Sequence, residues 1–78
     1  MAKVLLFGKL ADVAGWRSRT VEAGSIAELT ALLSADASLA EALAGKGVQV
    51  AVDQVLVRGD AVIGPSSEVA YLPPMSGG

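Results

Sequence analysis

One helical pattern, placed between two stretches of strand pattern, constrains the fold of this chain more than any other feature. Ser25 and Glu28 have the Ser-x-x-Glu spacing of a capping box, whose side chains satisfy backbone N–H groups of a first helical turn. The apolar residues that follow share one helix face: Ile26, Leu29, Leu33 and, at its margin, Leu32. We expect the helix to end near Asp36. Because its apolar face must be covered by another element, the helix indicates a layered domain.

A second, shorter helix is predicted directly afterwards. Ser38 and Glu41 repeat the capping-box spacing. Leu39 and Leu43 are four residues apart, so they share a helix face. We expect this helix to end at Gly45, since glycine suits the C-terminal cap.

The chain before the main helix indicates a hairpin with a broad loop. Residues 3–8 are apolar at both alternating positions, which favours a strand covered on both sides. Residues 10–15 suit a short helical turn that ends at Gly15. Residues 16–23 alternate loosely and carry charge, which is typical of an edge strand protected against unwanted pairing.

The chain after the helices indicates three more strands. Residues 48–52 alternate Val with polar or small residues, which predicts a strand. Asp53 and Gln54 suit a tight turn before a short strand at residues 55–57. After a loop with several glycines and a proline, residues 68–72 form the last predicted strand.

These elements predict an α+β roll. The order is β-β-α-α-β-β-β, with one main helix, one short helix and a mixed sheet of about five strands. The helices cover one face of the sheet. We expect the last strand to lie beside the first, in parallel, at the centre of the sheet.

The composition argues against autonomous catalysis. The 78 residues include no His and no Cys, so the chain lacks the commonest general base and any thiol nucleophile. Four acidic residues are candidates for a carboxylate pair, although their spacing favours turns and solvated surface: Asp12, Asp53, Asp60 and Glu68. We therefore expect a module that works through a partner and binds no metal or cofactor itself.

Charge and hydropathy exclude two classes of partner. The net charge is −2, so the chain has no basic field for nucleic acid or anionic lipid. The apolar run at residues 4–7 is far too short for a membrane span or a signal-peptide core. We expect a cytoplasmic protein that binds neither nucleic acid nor membrane.

The C-terminus is the strongest candidate for chemistry. Pro73 and Pro74 stop the last strand, because neither can donate to a ladder, and they begin a stiff extended arm. Gly77 and Gly78 lack a Cβ, so the backbone at the tip can approach another protein's active site closely. A carboxylate is a poor electrophile until another enzyme gives it a leaving group such as AMP. The pattern predicts a carrier whose terminal carboxylate is the reactive group.

Three segments resemble the small, sulfur-carrying subunit of molybdopterin synthase, a ubiquitin-like family. They are Val-Leu-Leu-Phe-Gly at residues 4–8, Ala-Val-Asp-Gln at residues 51–54 and Glu-Val-Ala-Tyr-Leu-Pro-Pro-Met-Ser-Gly-Gly at residues 68–78. The similarity covers the whole chain and is most specific in the last segment. The resemblance implies a β-grasp domain at residues 1–74 and a flexible Gly-Gly tail at residues 75–78.

The resemblance also implies a mechanism and partners. An adenylating, E1-like enzyme would use ATP and magnesium to activate the Gly78 carboxylate, and a sulfur donor protein would convert it to a thiocarboxylate. The tail would then enter the large subunit of a heterotetramer, where the sulfur passes to cyclic pyranopterin monophosphate in molybdenum cofactor biosynthesis. Gly77 would give the tail clearance. The expected partner-binding residues are Phe7, Tyr71, Leu72, Met75 and Ser76. For the three of these on strands, core packing is the alternative role.

Two other functions are open. A related carrier, of the thiamine-thiazole type or a ubiquitin-like modifier of lysines, would use the same terminal carboxylate. A binding-only β-grasp module would carry terminal glycines that are chemically inert. Only a carrier would form a terminal acyl-AMP with an adenylating enzyme and ATP.

Overall fold

Eight elements follow one another along residues 1–74, the part of the chain that the computed structural model describes. The strands are β1 (Ala2–Leu6), β2 (Ser18–Val21), β3 (Gln49–Val52), β4 (Val55–Val57) and β5 (Glu68–Leu72). The helices are α1 (Lys9–Ala14), α2 (Ile26–Leu33) and α3 (Ala37–Leu43). The predicted order is confirmed, and α1 stands as a third helix where a helical turn was expected.

The strands form one mixed sheet in the order β2-β1-β5-β3-β4. The first and last strands are parallel neighbours at its centre, with Val4 opposite Val69, as the sequence predicts. The other pairs are antiparallel, and β2 and β4 form the two edges. The predicted α+β roll is therefore confirmed.

The core lies between one face of this sheet and the helices. Val4 and Val69 from the central strands and Leu29 from α2 are completely buried. Leu39 of α3 and Tyr71 of β5 are almost as inaccessible. Burial of an apolar side chain of this size stabilises a fold by about 1.5–3 kcal/mol. None of the helices within residues 1–74 is both long and apolar enough to cross a membrane.

The first capping box is confirmed. The hydroxyl of Ser25 accepts the backbone N–H of Glu28 at 3.1 Å. The carboxylate of Glu28 reaches back to the backbone N–H of Gly24 at 2.7 Å. The first bond satisfies a backbone donor in the first turn of α2, and the second holds the residue before the N-cap rather than the N-cap itself.

The predicted start and end of the second helix are wrong. Asp36, expected near the end of α2, is the N-cap of α3, and its carboxylate accepts the backbone N–H groups of Ser38 and Leu39. A carboxylate that reaches two free N–H groups is a better cap than the hydroxyl two residues later. The helix then ends at Ala44 in right-handed conformation, so Gly45 is not its left-handed cap.

Two turns contain residues with positive φ, and their residue types are compatible with that conformation. Gly15 ends α1 with φ 83°, a left-handed conformation that favours glycine. Asp53 and Gln54 both have positive φ, at 49° and 71°, and they join β3 to β4 in a two-residue hairpin. The predicted tight turn is confirmed.

Candidate functional site

The residues that precede the predicted tail lie at the centre of the sheet. We call Leu72, Pro73 and Pro74 the tail base. Leu72 ends β5, which is held on one side by β1 and on the other by β3. The backbone N–H of Phe7 donates to the carbonyl of Tyr71 at 3.2 Å and extends the β1–β5 pairing to the strand's end. The tail base is therefore attached to the most firmly paired strand.

Two glycines make room for the tail base. A Cβ on Gly8 would lie 3.1 Å from Cγ of Pro73, and a Cβ on Gly47 would lie 2.8 Å from Cβ of Pro74. Both glycines have positive φ, 52° and 84°. Any other residue would be strained in that conformation and would push against a proline ring. Gly8 and Gly47 thus fix the direction in which the chain departs.

The predicted partner-binding residues fall into three groups. Phe7 is 44% exposed, and Leu72 is half-buried beside it at the end of the sheet. Tyr71, by contrast, is only 2% exposed, so its side chain offers no surface for docking. The remaining predicted site residues lie outside the described residues: Met75, Ser76, Gly77 and Gly78.

Tyr71 can be buried because its hydroxyl forms a hydrogen bond within the core. It lies 2.8 Å from the hydroxyl of Thr30 on α2, which satisfies both groups beneath the sheet. Burial raises the pKa of the Tyr71 phenol, and the hydrogen bond to Thr30 opposes that rise. The prediction that Tyr71 belongs to the docking surface is corrected: its side chain fastens β5 to α2.

The sheet face opposite the helices carries an apolar row. Leu5, Ala70, Ala51 and Leu56 are consecutive partners across β1, β5, β3 and β4. Ala51 is buried, yet it does not belong to the cluster of buried residues under the helices. Leu56 is 58% exposed. We call this row, together with Phe7 and Leu72 at its tail end, the open face.

The open face changes character along the strands. At the end far from the tail base, Lys3 lies opposite Glu68 on one side and Thr20 on the other. Towards the tail base Leu5 lies opposite Ala70, and Phe7 and Leu72 follow at the next positions. The flanking positions on β2 and β3, Ser18 and Gln49, are polar. Exposed apolar surface is a feature of interaction sites, and here it adjoins the tail base.

Sequence reasoning missed most of the open face. The alternation of residues 3–8 predicts a strand covered on both sides, but only one side of β1 is covered by helices. The apolar residues at the second set of positions were the available signal. They require a cover, and within residues 1–74 the chain does not supply it.

Two of the four candidate carboxylates, Asp53 and Asp60, accept backbone hydrogen bonds in loops. A carboxylate oxygen of Asp53 accepts the backbone N–H of Glu68 at 2.9 Å, across the end of the sheet. A carboxylate oxygen of Asp60 accepts the N–H groups of Ala27 and Ala61, both at 2.8 Å. No cluster of three or more potential metal ligands occurs in the described part of the chain.

Comparisons with known proteins agree with this geometry. The family model described as "ThiS family" matches residues 4–78. No curated protein matches the sequence significantly. The crystal structure of small archaeal modifier protein 1 from Haloferax volcanii is similar with a TM-score of 0.84 and 26% identity, covering 99% of this chain and 98% of that one.

Two further solved structures share the fold. The solution structure of small archaeal modifier protein 1 from Methanosarcina acetivorans has a TM-score of 0.83 at 21% identity, covering 99% of this chain and 95% of that one. A chain in the complex of subunits 1 and 2 of molybdopterin-converting factor from Helicobacter pylori has a TM-score of 0.76 at 22% identity, covering 99% and 97%. With its β-grasp fold and a family match over nearly its whole length, the chain belongs to the ThiS family of ubiquitin-like sulfur carriers and modifiers.

Proposed function

We propose that this chain is the sulfur-carrying small subunit of a molybdopterin synthase. Gly78 carries sulfur as a C-terminal thiocarboxylate and delivers it to cyclic pyranopterin monophosphate in the active site of a large subunit. The observation that carries the proposal is the combination of the tail base with the open face. A partner that covers the open face lies directly where the tail departs, so docking and delivery occur at one place.

The activation chemistry belongs to a separate enzyme. A carboxylate oxygen of Gly78 attacks the α-phosphorus of magnesium-bound ATP, and pyrophosphate leaves. Hydrosulfide supplied by a donor protein then attacks the acyl carbon, AMP leaves with the electrons of the broken C–O bond, and the thiocarboxylate is formed. The chain has no His and no Cys, which accords with a role as carried substrate in these steps rather than as catalyst.

The docking surface fits the size of such a domain. A stable interface buries about 800 Å² on each partner, and the accessible surface of this chain is 4961 Å². About a sixth of the accessible surface is therefore needed. In this proposal Phe7 and Leu72 contact the large subunit. The row from Leu5 to Leu56 also contacts it, whereas Tyr71 does not.

Modification of other proteins is the second candidate function. The similarity to small archaeal modifier protein 1, at 26% identity over nearly the full length of both chains, favours it. A modifier would use the same activated carboxylate but transfer its acyl carbon to a lysine amine. The Pro-Pro-Met-Ser-Gly-Gly ending at residues 73–78 favours the molybdopterin role.

Reconstitution separates the two functions. The chain would be incubated with an adenylating enzyme, ATP, magnesium, a sulfur source, the large subunit and cyclic pyranopterin monophosphate, and molybdopterin would be measured as its fluorescent oxidation product. We expect molybdopterin with the full chain and none after deletion of Gly78, while circular dichroism of the deletion variant is unchanged. Lysine conjugates without molybdopterin would instead establish the modifier function.

A further inference from the structure

The outer edge of β4 is an unpaired and apolar strand edge. β4 pairs only with β3, and it is an outer strand of the sheet that residues 1–74 form. Val55 and Leu56 are 64% and 58% exposed, and Val57 is half-buried. The opposite edge strand, β2, carries Arg19 among its exposed residues, and such a charge discourages pairing. None of the three residues of β4 is charged, so its shortness is its main protection.

The backbone of β4 presents one residue outwards. The N–H of Asp53 donates to the carbonyl of Glu68 at 2.8 Å, so every second residue of β3 counted from Asp53 directs its backbone groups towards β5. The residues between them face β4, where their partners are Val55 and Val57. The N–H and C=O of Leu56 therefore point away from β3, and they can pair with another strand.

Both sides of β4 carry accessible apolar side chains. The β3 partners of Val55 and Val57 are packed against the core, so these two valines lie on the helix side of the sheet. Leu56 lies on the other side, at the end of the apolar row of the open face. A strand added to β4 would cover apolar surface on both sides.

The strand is complementary to a second copy of itself. In an antiparallel pair centred on Leu56, the Leu56 residues of the two copies exchange N–H···O bonds, and Val55 of each copy lies opposite Val57 of the other. All three cross-strand pairs are then apolar. Just beyond the strand, Arg58 lies opposite the uncharged Gln54 of the other copy, so no like charges are opposed.

Symmetry also favours a second copy at this edge. Two β4 strands pair through the same surface on both molecules, so the association closes as a two-fold dimer. Pairing of β4 with the β2 edge of another copy would be head-to-tail and would form open chains. It would also place Arg19 of β2 against the apolar strand, without a charge to pair with it there.

We propose that two copies of this chain associate through their β4 edges into a two-fold dimer with a continuous ten-stranded sheet. A three-residue edge buries only part of the about 800 Å² per partner that a stable interface uses. The dimer is therefore weak, with a dissociation constant of roughly 0.1–1 mM.

The dimer goes beyond the proposed carrier function and does not use the tail. Because its two-fold axis is perpendicular to the sheet, both open faces lie on the same side, and their apolar rows join at the two Leu56 residues. Five strand spacings of about 4.8 Å separate the two β5 strands, which end at opposite sides of the sheet. Each tail base is thus remote from the new interface, and deletion of Gly78 should leave dimerisation unchanged.

Disulfide trapping tests the dimer and its register, since the chain has no cysteine of its own. In the proposed register, the Cα atoms of Val55 and the opposed Val57 are about 4.5 Å apart, within disulfide reach, whereas the two Val55 Cα atoms are about 8 Å apart. Full-length Val55→Cys and Val57→Cys would be mixed at near-millimolar concentration in a glutathione redox buffer. We expect the mixture to give mainly the mixed disulfide dimer, and each variant alone to give little.

The unmodified chain gives an independent measurement, by sedimentation and by amide NMR over a dilution series. The N–H of Leu56 should shift with concentration more than those of Val55 and Val57, which already face β3. Val55→Lys should weaken dimerisation at least about tenfold, because charge on an edge strand opposes pairing. Val62→Lys is the matched control at a valine that is 88% exposed outside the five strands, and it should leave dimerisation unchanged. Amide dispersion verifies that each variant is folded.

Several outcomes would overturn the proposal. They are a monomer at millimolar concentration in sedimentation, mixed disulfides no more abundant than those of each variant alone, and equal weakening by Val55→Lys and Val62→Lys. Concentration-dependent shifts confined to Ser18 and Thr20 would place the contact between copies at β2 instead.

Discussion

The two faces of the sheet use the same kind of residue for different purposes. On the inner face, Val4 and Val69 are opposite each other and completely buried beneath the helices. One residue further along each strand, Leu5 and Ala70 are also opposite each other but are only half-buried, with no helix above them. Strand alternation thus divides the apolar residues of the central strands between a buried core and an accessible face.

The difference between the two faces separates the residues that stabilise the fold from apolar residues that remain accessible. A chain of this size buries only about 60% of the surface of its unfolded state, so its core is limited. Apolar residues on the second face add little to that core, because they remain accessible. In the proposed function they contribute when the large subunit covers them. We therefore expect substitutions on the two faces to separate stability from binding.

The largest effect is expected for adjacent aspartate substitutions. Val69→Asp places an unpaired carboxylate in the core, and we expect it to cost about 3–5 kcal/mol or more and to unfold much of the protein. Ala70→Asp places the same group on the open face and should change the free energy of unfolding by less than about 1 kcal/mol. Thermal melting measures both.

Ala70→Asp, which should affect stability less than Val69→Asp does, should have a large effect on binding. Ala70→Asp should remain folded but lose affinity for the large subunit, because a carboxylate would be desolvated at the interface. Calorimetric titration with the large subunit measures this loss. If Ala70→Asp bound as tightly as the original chain, the open face would not be the docking surface.

The next effect concerns the tail base, where the two faces end. Gly47→Ala and Gly59→Ala both put alanine at positive φ, which costs about 1–2 kcal/mol. Only at Gly47 would the new Cβ also meet Pro74, whereas nothing lies within 4 Å at Gly59. We expect Gly47→Ala alone to reduce molybdopterin formation in single-turnover kinetics. Equal activity losses in the two variants would mean that the contact with Pro74 does not guide the tail.

A smaller effect is expected for the hydroxyl pair that holds β5 to α2. Tyr71→Phe removes one hydrogen bond and leaves Thr30 without its partner, at a cost of about 0.5–1.5 kcal/mol. Urea unfolding measures this cost, and Thr30→Val in the same background should restore part of it. Affinity for the large subunit should be unchanged, because the phenol is beneath the sheet. A large loss of affinity in the folded variant would place Tyr71 at the interface after all.

The pH dependence of stability tests the same residue. The pKa of Tyr71 is raised in the folded protein by burial, so the folded state holds the phenol proton more tightly than the unfolded state does. Stability is therefore fully present below the ordinary pKa of 10.0 and decreases as pH rises above it. Urea unfolding between neutral and alkaline pH should show this decrease in the original chain and a smaller one in Tyr71→Phe.

The smallest effect concerns the hairpin that carries Leu56 to the open face. Gln54 has φ 71°, a conformation that glycine adopts without strain. Gln54→Gly should therefore stabilise the protein by about 0.5 kcal/mol, since the relief of strain exceeds the added entropy of the unfolded chain. Thermal melting tests the sign, with Gln49→Gly in β3 as a destabilising control. A decrease in stability for Gln54→Gly would contradict the assignment of this turn.

Much of the fold could be predicted because local signals and tertiary structure agree. The capping box at Ser25 and the tight turn at Asp53 are local, and both form as predicted. The start of α3 was predicted two residues too late, because Ser38 and Glu41 also have the capping-box spacing and compete with Asp36 as the start signal. Which residue caps α3 depends on the connection between the helices.

The site was harder to predict than the fold. Phe7 and Leu72 lie at the surface near the tail, as expected for docking, but Tyr71 does not. A tyrosine suits either a core or an interface, and its direction was decided by the register of β5 and by Thr30 across the core. The space that Gly8 and Gly47 leave for the prolines depends on contacts between distant segments, which no local pattern indicates.

The central claim is that the terminal carboxylate of this chain carries sulfur. The most direct test is the intact mass of the chain after incubation with an adenylating enzyme, ATP, magnesium and a sulfur source, followed by fragmentation of the C-terminus. We predict the exchange of one oxygen for one sulfur, located at Gly78, and no exchange in a chain that lacks Gly78. An unchanged mass, under conditions in which the same enzyme converts another carrier of the family, would contradict the claim.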